Sequence, residues 1–149
     1  MSIDGILKEI ETGSTVGDEQ QAVQGDYKSP MVRLVDAILT DAVRIGASDL
    51  HFEPENFFLR LRYRIDGKME QIKAFHKDYW SSIAVRIKIM SGMNIAERRT
   101  PQDGRINMIV GGKEYDFRVS SIPTIFGEKF VIRILDKSSF SAFAPNRST

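Results

Sequence analysis

The sequence contains no cysteine among its 149 residues. It therefore has no disulfide framework and no thiolate metal site, which fits a reducing compartment and predicts a cytoplasmic protein. No stretch approaches the roughly 18 consecutive apolar residues that a membrane-spanning helix needs. No apolar segment follows Met1, so we expect no signal peptide.

The sequence also lacks a phosphate-binding loop of the form G-x-x-x-x-G-K-[ST]. Its two Gly-Lys pairs, Gly67-Lys68 and Gly112-Lys113, each lie in a predicted tight turn with no helix after it to receive a phosphate. The motifs G-x-S-x-G and H-E-x-x-H are absent too. We therefore predict no catalytic residue in this chain and no nucleotide binding of the P-loop kind.

The two histidines, His51 and His76, have no second ligand at metal spacing, so we predict no metal site. Asp49, His51 and Glu53 alternate along one predicted strand. This spacing is common by chance and does not by itself indicate acid-base catalysis.

Charge of either sign is not in large excess. Lysine and arginine total 21 and aspartate and glutamate 20, so the formal net charge is +1. Nucleic-acid-binding domains usually have a clearly basic surface. We therefore predict no nucleic-acid partner and expect any function that depends on charge to come from local clusters.

The length predicts one domain with tails. Residues 1–29 begin with a predicted short helix, Ile3–Ile10, and continue as polar, glycine-containing sequence typical of a flexible linker. The folded domain is predicted at 30–137, and residues 138–149 are predicted to form a tail.

Two amphipathic helices are predicted in the domain. The first begins at Ser29-Pro30, with serine as the N-cap and proline in the first turn, and ends at Gly46. The second is predicted over His76–Gly92, with Trp80 on its apolar side. The first helix has apolar residues at helical spacing at Met31, Leu34, Val35, Ile38, Leu39 and Ala42.

Three strands are predicted between these helices, at Ala47–Phe52, Phe57–Ile65 and Lys68–Ala74, with a hairpin turn at Asp66-Gly67. The middle strand alternates, and three arginines share one of its faces: Arg60, Arg62 and Arg64. Two interpretations remain open: a solvated sheet face, or an interface with an acidic partner or a phosphate.

The second helix is followed by a loop in which Pro101 and Asp103-Gly104 are expected to interrupt regular structure. Three further arginines bracket this loop: Arg98, Arg99 and Arg105. A strand at Ile106–Val110 and a tight turn at Gly111-Gly112 are predicted next.

The last two predicted strands contain two unusual arginines. The segment after Gly112 alternates, with Tyr115, Phe117 and Val119 on one face and Asp116, Arg118 and Ser120 on the other. Phe130–Leu135 is apolar on both faces except for Arg133, which predicts a central strand covered on both sides. A buried arginine needs an anionic partner. That partner is either an internal carboxylate (Asp116, Glu114 or Glu128) or an anion bound from outside, which Arg118 could also reach.

The predicted element order is helix, three strands, helix, loop and three strands. It indicates an α+β domain with an antiparallel sheet of about six strands and two main helices, similar to a PAS-like or another small sensor fold.

Four blocks of this sequence resemble a known family. They are VRLVDAILTDAVRIGASDLHFEP, LRYRIDG, RIKIMSGMNIAERRTPQDGRI and YDFRVSSIPTIFGEKFVIRILDK. In this order and spacing they closely resemble the domain that precedes the P-loop domain in the traffic ATPases of type II secretion and type IV pilus assembly. The resemblance covers Pro30 to about Lys137.

The resemblance implies a non-catalytic, PAS-like regulatory domain of a hexameric ATPase. The adjoining C-terminal P-loop domain would hold ATP and Mg²⁺, and domain motion would couple hydrolysis to pilin or pseudopilin export. The partners implied are that P-loop domain, five further copies in a homohexamer, and platform proteins of the inner membrane, to which the cytoplasmic ATPase would be peripheral.

In the family, arginines of this domain contact the nucleotide phosphates, and these arginines correspond to Arg118 and Arg133. The other arginines are expected at interdomain or intersubunit surfaces: Arg98, Arg99, Arg105, Arg60, Arg62 and Arg64. The alternative is a free-standing PAS-like interaction or ligand-sensing module that has no P-loop partner.

Overall fold

The computed structural model describes residues 2–11 and 30–137. This part of the chain folds into an antiparallel sheet with helices packed against one face. The helices are α1 (Ile3–Glu11), α2 (Pro30–Ile45) and α3 (Trp80–Ser91), the last preceded by a 3₁₀ turn at Lys77–Tyr79. The strands are β1 (Asp49–Pro54), β2 (Phe58–Ile65), β3 (Lys68–His76), β4 (Gln102–Val110), β5 (Lys113–Thr124) and β6 (Gly127–Asp136). The predicted α+β class, with about six antiparallel strands and two main helices, is confirmed, and α1 is a third, shorter helix.

The strands lie in the order β3-β2-β1-β6-β5-β4. Hairpin connections account for four of the five pairings, and the pairing of β1 with β6 joins the two halves of the chain. The predicted turns at Asp66-Gly67 and Gly111-Gly112 are both present. All four of these residues have positive φ, from 51° to 81°, as a type I′ hairpin turn requires.

The core lies between the sheet and the helices. On the strands, alternate residues face this core, because successive side chains of a strand point to opposite faces. Leu59, Leu61 and Tyr63 of β2 are fully buried, and so are Phe130 and Ile132 of β6. The intervening residues point to the other side of the sheet, which no described helix covers. We call this side the open face.

Helix α1 packs on this core. Its Ile6 is 1% exposed, and ion pairs tie the helix to its surroundings, from Glu9 to Arg33 of α2 and from Asp4 to Lys73 of β3. The rest of the predicted linker, including Ser29 as the predicted N-cap, and the predicted tail from residue 138 lie outside the described residues.

The prediction that the last strand is covered on both sides was wrong. In β6, Phe130 and Ile132 face the core, whereas Val131, Arg133 and Leu135 lie on the open face. The Arg133 side chain is 69% exposed. Apolar residues on both faces concealed the alternation of this strand, so burial of Arg133 was expected where the arginine is in fact accessible.

The prediction that Asp103-Gly104 interrupts regular structure was also wrong, because both residues lie inside β4. Glycine at position 104 lets β4 pack closely against the end of α3, because a Cβ atom there would lie 2.3 Å from the carbonyl oxygen of Ser91. An Asp-Gly pair favours a hairpin turn only when flanking strands can pair across it, and here it lies inside a strand that pairs with β5.

Several boundaries also differ from the predictions. Strand β1 runs two residues further than expected, to Pro54, and Phe57 lies before β2 with 72% of its surface exposed. His76 ends β3 instead of beginning a helix. Its Nδ1 accepts a hydrogen bond from the backbone N–H of Asp78 at 3.2 Å, which caps the 3₁₀ turn.

Candidate anion-binding site on the open face

Five strands each contribute one charged side chain to a single line across the open face. Register pairs Arg105 of β4 with Arg118 of β5, Arg118 with Arg133 of β6, Arg133 with Asp49 of β1, and Asp49 with Arg64 of β2. We call this line the arginine row: Arg105, Arg118, Arg133, Asp49 and Arg64. The row brings together four of the eight arginines that the sequence singled out.

Arg118 and Arg133 are directly opposite each other on neighbouring strands. Side chains in such pairs start from Cβ atoms about 4.5–5.5 Å apart, and like charges at this position are unfavourable. Arg118 is exposed, and no described carboxylate lies within 4.0 Å of its guanidinium. An anion that bridged the two guanidinium groups would remove this repulsion.

Arg133 has one carboxylate partner. Its Nε lies 3.3 Å from Oδ1 of Asp49, and its terminal nitrogens make no hydrogen bond to a described residue. The predicted internal partners of this arginine were wrong. Asp116 pairs with Arg105, Glu114 lies 3.8 Å from Lys137, and Glu128 lies 2.7 Å from the buried Lys88.

Asp49 is only 7% exposed although it lies on the open face. Its Oδ2 accepts a hydrogen bond of 2.8 Å from the Ser48 hydroxyl and lies 3.6 Å from Nε of Arg64. Arg64 also donates from Nη1 to the carbonyl oxygen of Gly67 at 3.1 Å. Asp49 therefore lies between two guanidinium groups and is fixed by Ser48, just before β1, and by Arg64 of β2.

Arg105, at the other end of the row, is bound through a terminal nitrogen. Its Nη2 donates to Oδ2 of Asp116 at 2.5 Å, and this hydrogen bond raises the pKa of Arg105. Asp116 is 3% exposed. The acid thus occupies a terminal nitrogen of Arg105, whereas Asp49 leaves the terminal nitrogens of Arg133 available.

A second cluster on the open face centres on Glu53. Arg62 donates to it from Nε and Nη2, both at 2.8 Å, and Lys129 lies 3.4 Å away. Burial raises the pKa of Glu53, but the hydrogen bonds and charges of Arg62 and Lys129 outweigh it, so the net pKa is lowered. The same pair raises the pKa of Arg62. Arg62 therefore serves an internal ion pair.

His51 lies beside this cluster, with Nδ1 3.6 Å from Oε2 of Glu53. Burial, followed by the positive charge of Lys129, lowers the pKa of His51, and the effect of Glu53 in the opposite direction is smaller. The neutral imidazole is thus favoured in the folded protein.

The third arginine of β2 also has a partner in the sheet. Arg60 has Nη1 4.0 Å from Oε2 of Glu55, and its guanidinium carbon lies 5.4 Å from the centre of the Phe58 ring. All three arginines of β2 therefore face acidic groups from β1 or the turn after it. The sequence pattern revealed the shared face of these arginines but not the carboxylates opposite them.

Arg98 and Arg99 lie apart from the arginine row, in the loop between α3 and β4. Both are exposed. Lys88 fixes the loop by donating to the carbonyl oxygen of Glu97 at 2.6 Å, and the Gln102 side chain donates to the same oxygen at 3.1 Å. Arg98 lines a cavity of about 180 Å³ together with Trp80 and Glu128, on the side of the sheet that carries the helices.

Asp49 is the residue of this site whose role the sequence did not indicate. Its neighbours Arg64 and Arg133 are 15 and 84 positions away, so no local spacing relates it to both. The available signal was the acidic residue itself at the start of a predicted strand, next to a serine.

The chain is similar to known proteins over most of its length. The family model for "Type II/IV secretion system protein" matches residues 24–145. The chain is 44% identical over 133 residues to the type IV pilus assembly ATPase PilB of Pseudomonas aeruginosa, covering 85% of this chain and 24% of that protein. It is 46% identical over 132 residues to PilB of Myxococcus xanthus, covering 88% and 23%.

A third relative is the type II secretion system protein E of Aeromonas hydrophila, which is 42% identical over 120 residues and covers 80% of this chain and 24% of its own length. The chain thus spans about a quarter of the length of the curated relatives it matches. None of the helices in residues 2–11 and 30–137 has the length and apolar character needed to cross a membrane.

Proposed function

The chain belongs to the family of type II/IV secretion system proteins, and from that premise we propose that it acts as the non-catalytic domain next to the P-loop domain of a secretion or pilus-assembly ATPase. Its relatives include two pilus assembly ATPases and a type II secretion protein E. The sequence has no phosphate-binding loop. The P-loop domain therefore holds ATP and Mg²⁺, and this domain is the regulatory and structural part.

In this proposal Arg118 and Arg133 contact the phosphates of the nucleotide on the P-loop domain. The observation that carries it is their position: they are directly opposite each other on the open face, and neither has its terminal nitrogens bound to a described carboxylate. Guanidinium groups stay charged at physiological pH and bind phosphate oxygens through two parallel hydrogen bonds. They do not bind Mg²⁺, which takes oxygen ligands.

Placement on a sheet suits this role. Strands β5 and β6 pair along ten positions, so the Cα atoms of the two arginines are held rigidly relative to each other. An arginine that completes a phosphoryl-transfer site from outside increases the rate by about 10³–10⁵-fold. Each arginine would reach a phosphate only in certain orientations of the two domains. The orientation of the domains would therefore depend on which nucleotide is bound.

The wider assembly is part of the same proposal: a homohexamer at inner-membrane platform proteins, in which domain motion drives export of pilin or pseudopilin subunits. Arg98 and Arg99 are candidates for an interdomain or intersubunit surface because they are exposed and lie on a loop fixed by Lys88 and Gln102. Arg60, Arg62, Arg64 and Arg105 have acidic partners within this domain, so any interface role for them would compete with those pairs.

The test replaces Arg118 or Arg133 by alanine in the complete ATPase and measures steady-state ATP hydrolysis. We expect kcat to fall by about 10³-fold or more in each variant, because one charge contact in the transition state is lost. Lys129→Ala is the matched control, since it removes a cation from the same face of β6 while Arg62 still neutralises Glu53. It should hydrolyse ATP at nearly the normal rate.

Normal hydrolysis in both arginine variants would contradict the proposed role. Calorimetric titration of this chain with a purified P-loop domain addresses the alternative of a free-standing module. Failure to associate with any P-loop partner would favour that alternative.

A further inference from the structure

We propose that Asp49 is a positioning residue for Arg133, and this inference rests on the proposed function. The Asp49 carboxylate binds Nε of Arg133 and leaves its terminal nitrogens without a described partner, on the strand next to that of Arg118. Asp49 would not contact the nucleotide itself. It would determine whether Arg133 meets the phosphate in a productive orientation.

Asp49 and the other carboxylates of the open face bind different nitrogens of their arginines. A guanidinium group binds phosphate best through a pair of parallel N–H groups. Asp49 occupies only Nε of Arg133, at 3.3 Å, and leaves both Nη groups available. In contrast, Glu53 takes Nε and Nη2 of Arg62, and Asp116 takes Nη2 of Arg105.

Asp49 is itself fixed in position. Its side chain is 10% exposed, whereas that of Arg133 is 69% exposed. The Ser48 hydroxyl and Arg64 bind its other oxygen, and β1 pairs with strands on both sides. A buried, hydrogen-bonded carboxylate is therefore the fixed point, and the long arginine side chain is the part that needs orienting.

The two arginines proposed to contact phosphate differ in whether a carboxylate fixes them. Arg118 has no described carboxylate to fix it, so it must become ordered when the nucleotide binds. Arg133 is ordered beforehand by Asp49. Holding a catalytic group in its productive orientation before reaction lowers the entropic part of the barrier. Loss of Asp49 should therefore affect turnover through Arg133 alone.

The test is a double-mutant cycle in the complete ATPase with Asp49→Asn and Arg133→Ala. We expect Asp49→Asn alone to lower kcat by about 10-fold or more, the size of effect found when a group that orients a metal-ligating side chain is removed. On the Arg133→Ala background it should have no further effect, because the residue through which it acts is gone. If Asp49 had only a structural role, the two substitutions would act independently, and their fold-losses in kcat would multiply in the double variant.

Glu53→Gln is the matched control. Glu53 lies on the same face of β1, is buried to a similar degree, and is bound by an arginine and a lysine. Its replacement should affect thermal stability about as much as Asp49→Asn while leaving kcat nearly unchanged. A similar loss of kcat in both variants would overturn the inference.

Arg133→Lys keeps the inference testable if Asp49→Asn fails to fold. Lysine preserves the charge and can still reach Asp49, but it has no pair of terminal N–H groups to present. We expect it to hydrolyse ATP as poorly as Arg133→Ala. Near-normal activity of Arg133→Lys would overturn the role of Asp49 and leave the proposed function intact. The same conclusion would follow if the effects of Asp49→Asn and Arg133→Ala on the activation free energy were additive in the cycle. Normal activity of both Arg118→Ala and Arg133→Ala would instead overturn the proposed function itself.

Discussion

Six arginines of residues 30–137 lie on the open face of the sheet, and they form two groups according to whether a terminal nitrogen of the guanidinium is bound. Arg60, Arg62 and Arg105 each have a terminal guanidinium nitrogen within 4.0 Å of a carboxylate oxygen, and Nη1 of Arg64 donates to the carbonyl oxygen of Gly67. Arg133 is anchored through Nε alone, and Arg118 has no described carboxylate partner. The four arginines of the row face Asp49 and Asp116, which leaves two formal positive charges uncompensated at the centre of the sheet.

His51 gives a prediction about pH. Its pKa is lowered in the folded protein, chiefly by burial, so the unfolded chain binds its proton at a higher pH than the folded chain does. The stability that neutral His51 contributes is fully present above the unfolded pKa of about 6.5. It is lost as the pH falls below that value and through the lower pKa of the folded protein. We expect His51→Gln to reduce the loss of stability below about pH 6.5, measured by urea unfolding at a series of pH values. An unchanged pH profile in this variant would contradict the role of His51.

At the scale of single elements, β6 shows why an apolar run is ambiguous. Val131 and Leu135 lie on the open face together with Arg133, whereas Phe130 and Ile132 belong to the core. A continuous apolar run is consistent with a strand covered on both sides, but periodicity cannot distinguish it from a strand with apolar residues on an accessible face. Leu135 is 36% exposed, so this part of the open face is both apolar and accessible.

Gly104 provides a test of how β4 meets α3. A Cβ atom here would lie 2.3 Å from the carbonyl oxygen and 2.9 Å from Cβ of Ser91. Gly104→Ala should therefore destabilise the domain by about 1–3 kcal/mol, the usual effect of overpacking. Chemical denaturation of the chain measures this change. Asn107→Ala, on the exposed side of the same strand, is the control and should change stability by less than about 0.5 kcal/mol.

At the scale of the whole molecule, the pairing of β1 with β6 creates the candidate site. These are the first and the last of the described strands along the chain, and their contact places Asp49 opposite Arg133. The hairpin β5–β6 then adds Arg118, and β4 adds Arg105. Arg64 of β2 completes the row, which exists only when all five strands are in their native register, because a shift by one residue would move each charged side chain toward the core.

Helix α1 gives a prediction about the extent of the folded unit. Ile6 is 1% exposed and belongs to the same core as the sheet and α2. Ile6→Ala should lower the free energy of unfolding by about 2 kcal/mol or more, through lost apolar burial and a residual cavity. Thermal or urea unfolding of the chain provides the measurement. Ile125→Ala, at a position 92% exposed in the β5–β6 turn, should have little effect, and equal stability of the two variants would show that α1 contributes little.

Local chemistry determined much of this structure. Alternation along β2 and β5, helical spacing in α2, and the turn residues Asp66-Gly67 and Gly111-Gly112 follow from the backbone geometry of short segments. The sequence therefore predicted the class of fold, the antiparallel hairpins and the common face of Arg60, Arg62 and Arg64. It also indicated Arg118 and Arg133 as unusual residues, although the burial expected for Arg133 was wrong.

The tertiary structure alone decided which carboxylate pairs with which arginine. Which carboxylate meets which arginine depends on strand order and register between segments up to 84 residues apart, and local periodicity contains no information about either. The same is true of Gly104, whose importance arises from the approach of α3 to β4 and not from its neighbours in the chain. The sequence thus specified the charged side chains and their faces, and the packing of the sheet determined which guanidinium groups remain available to an anion.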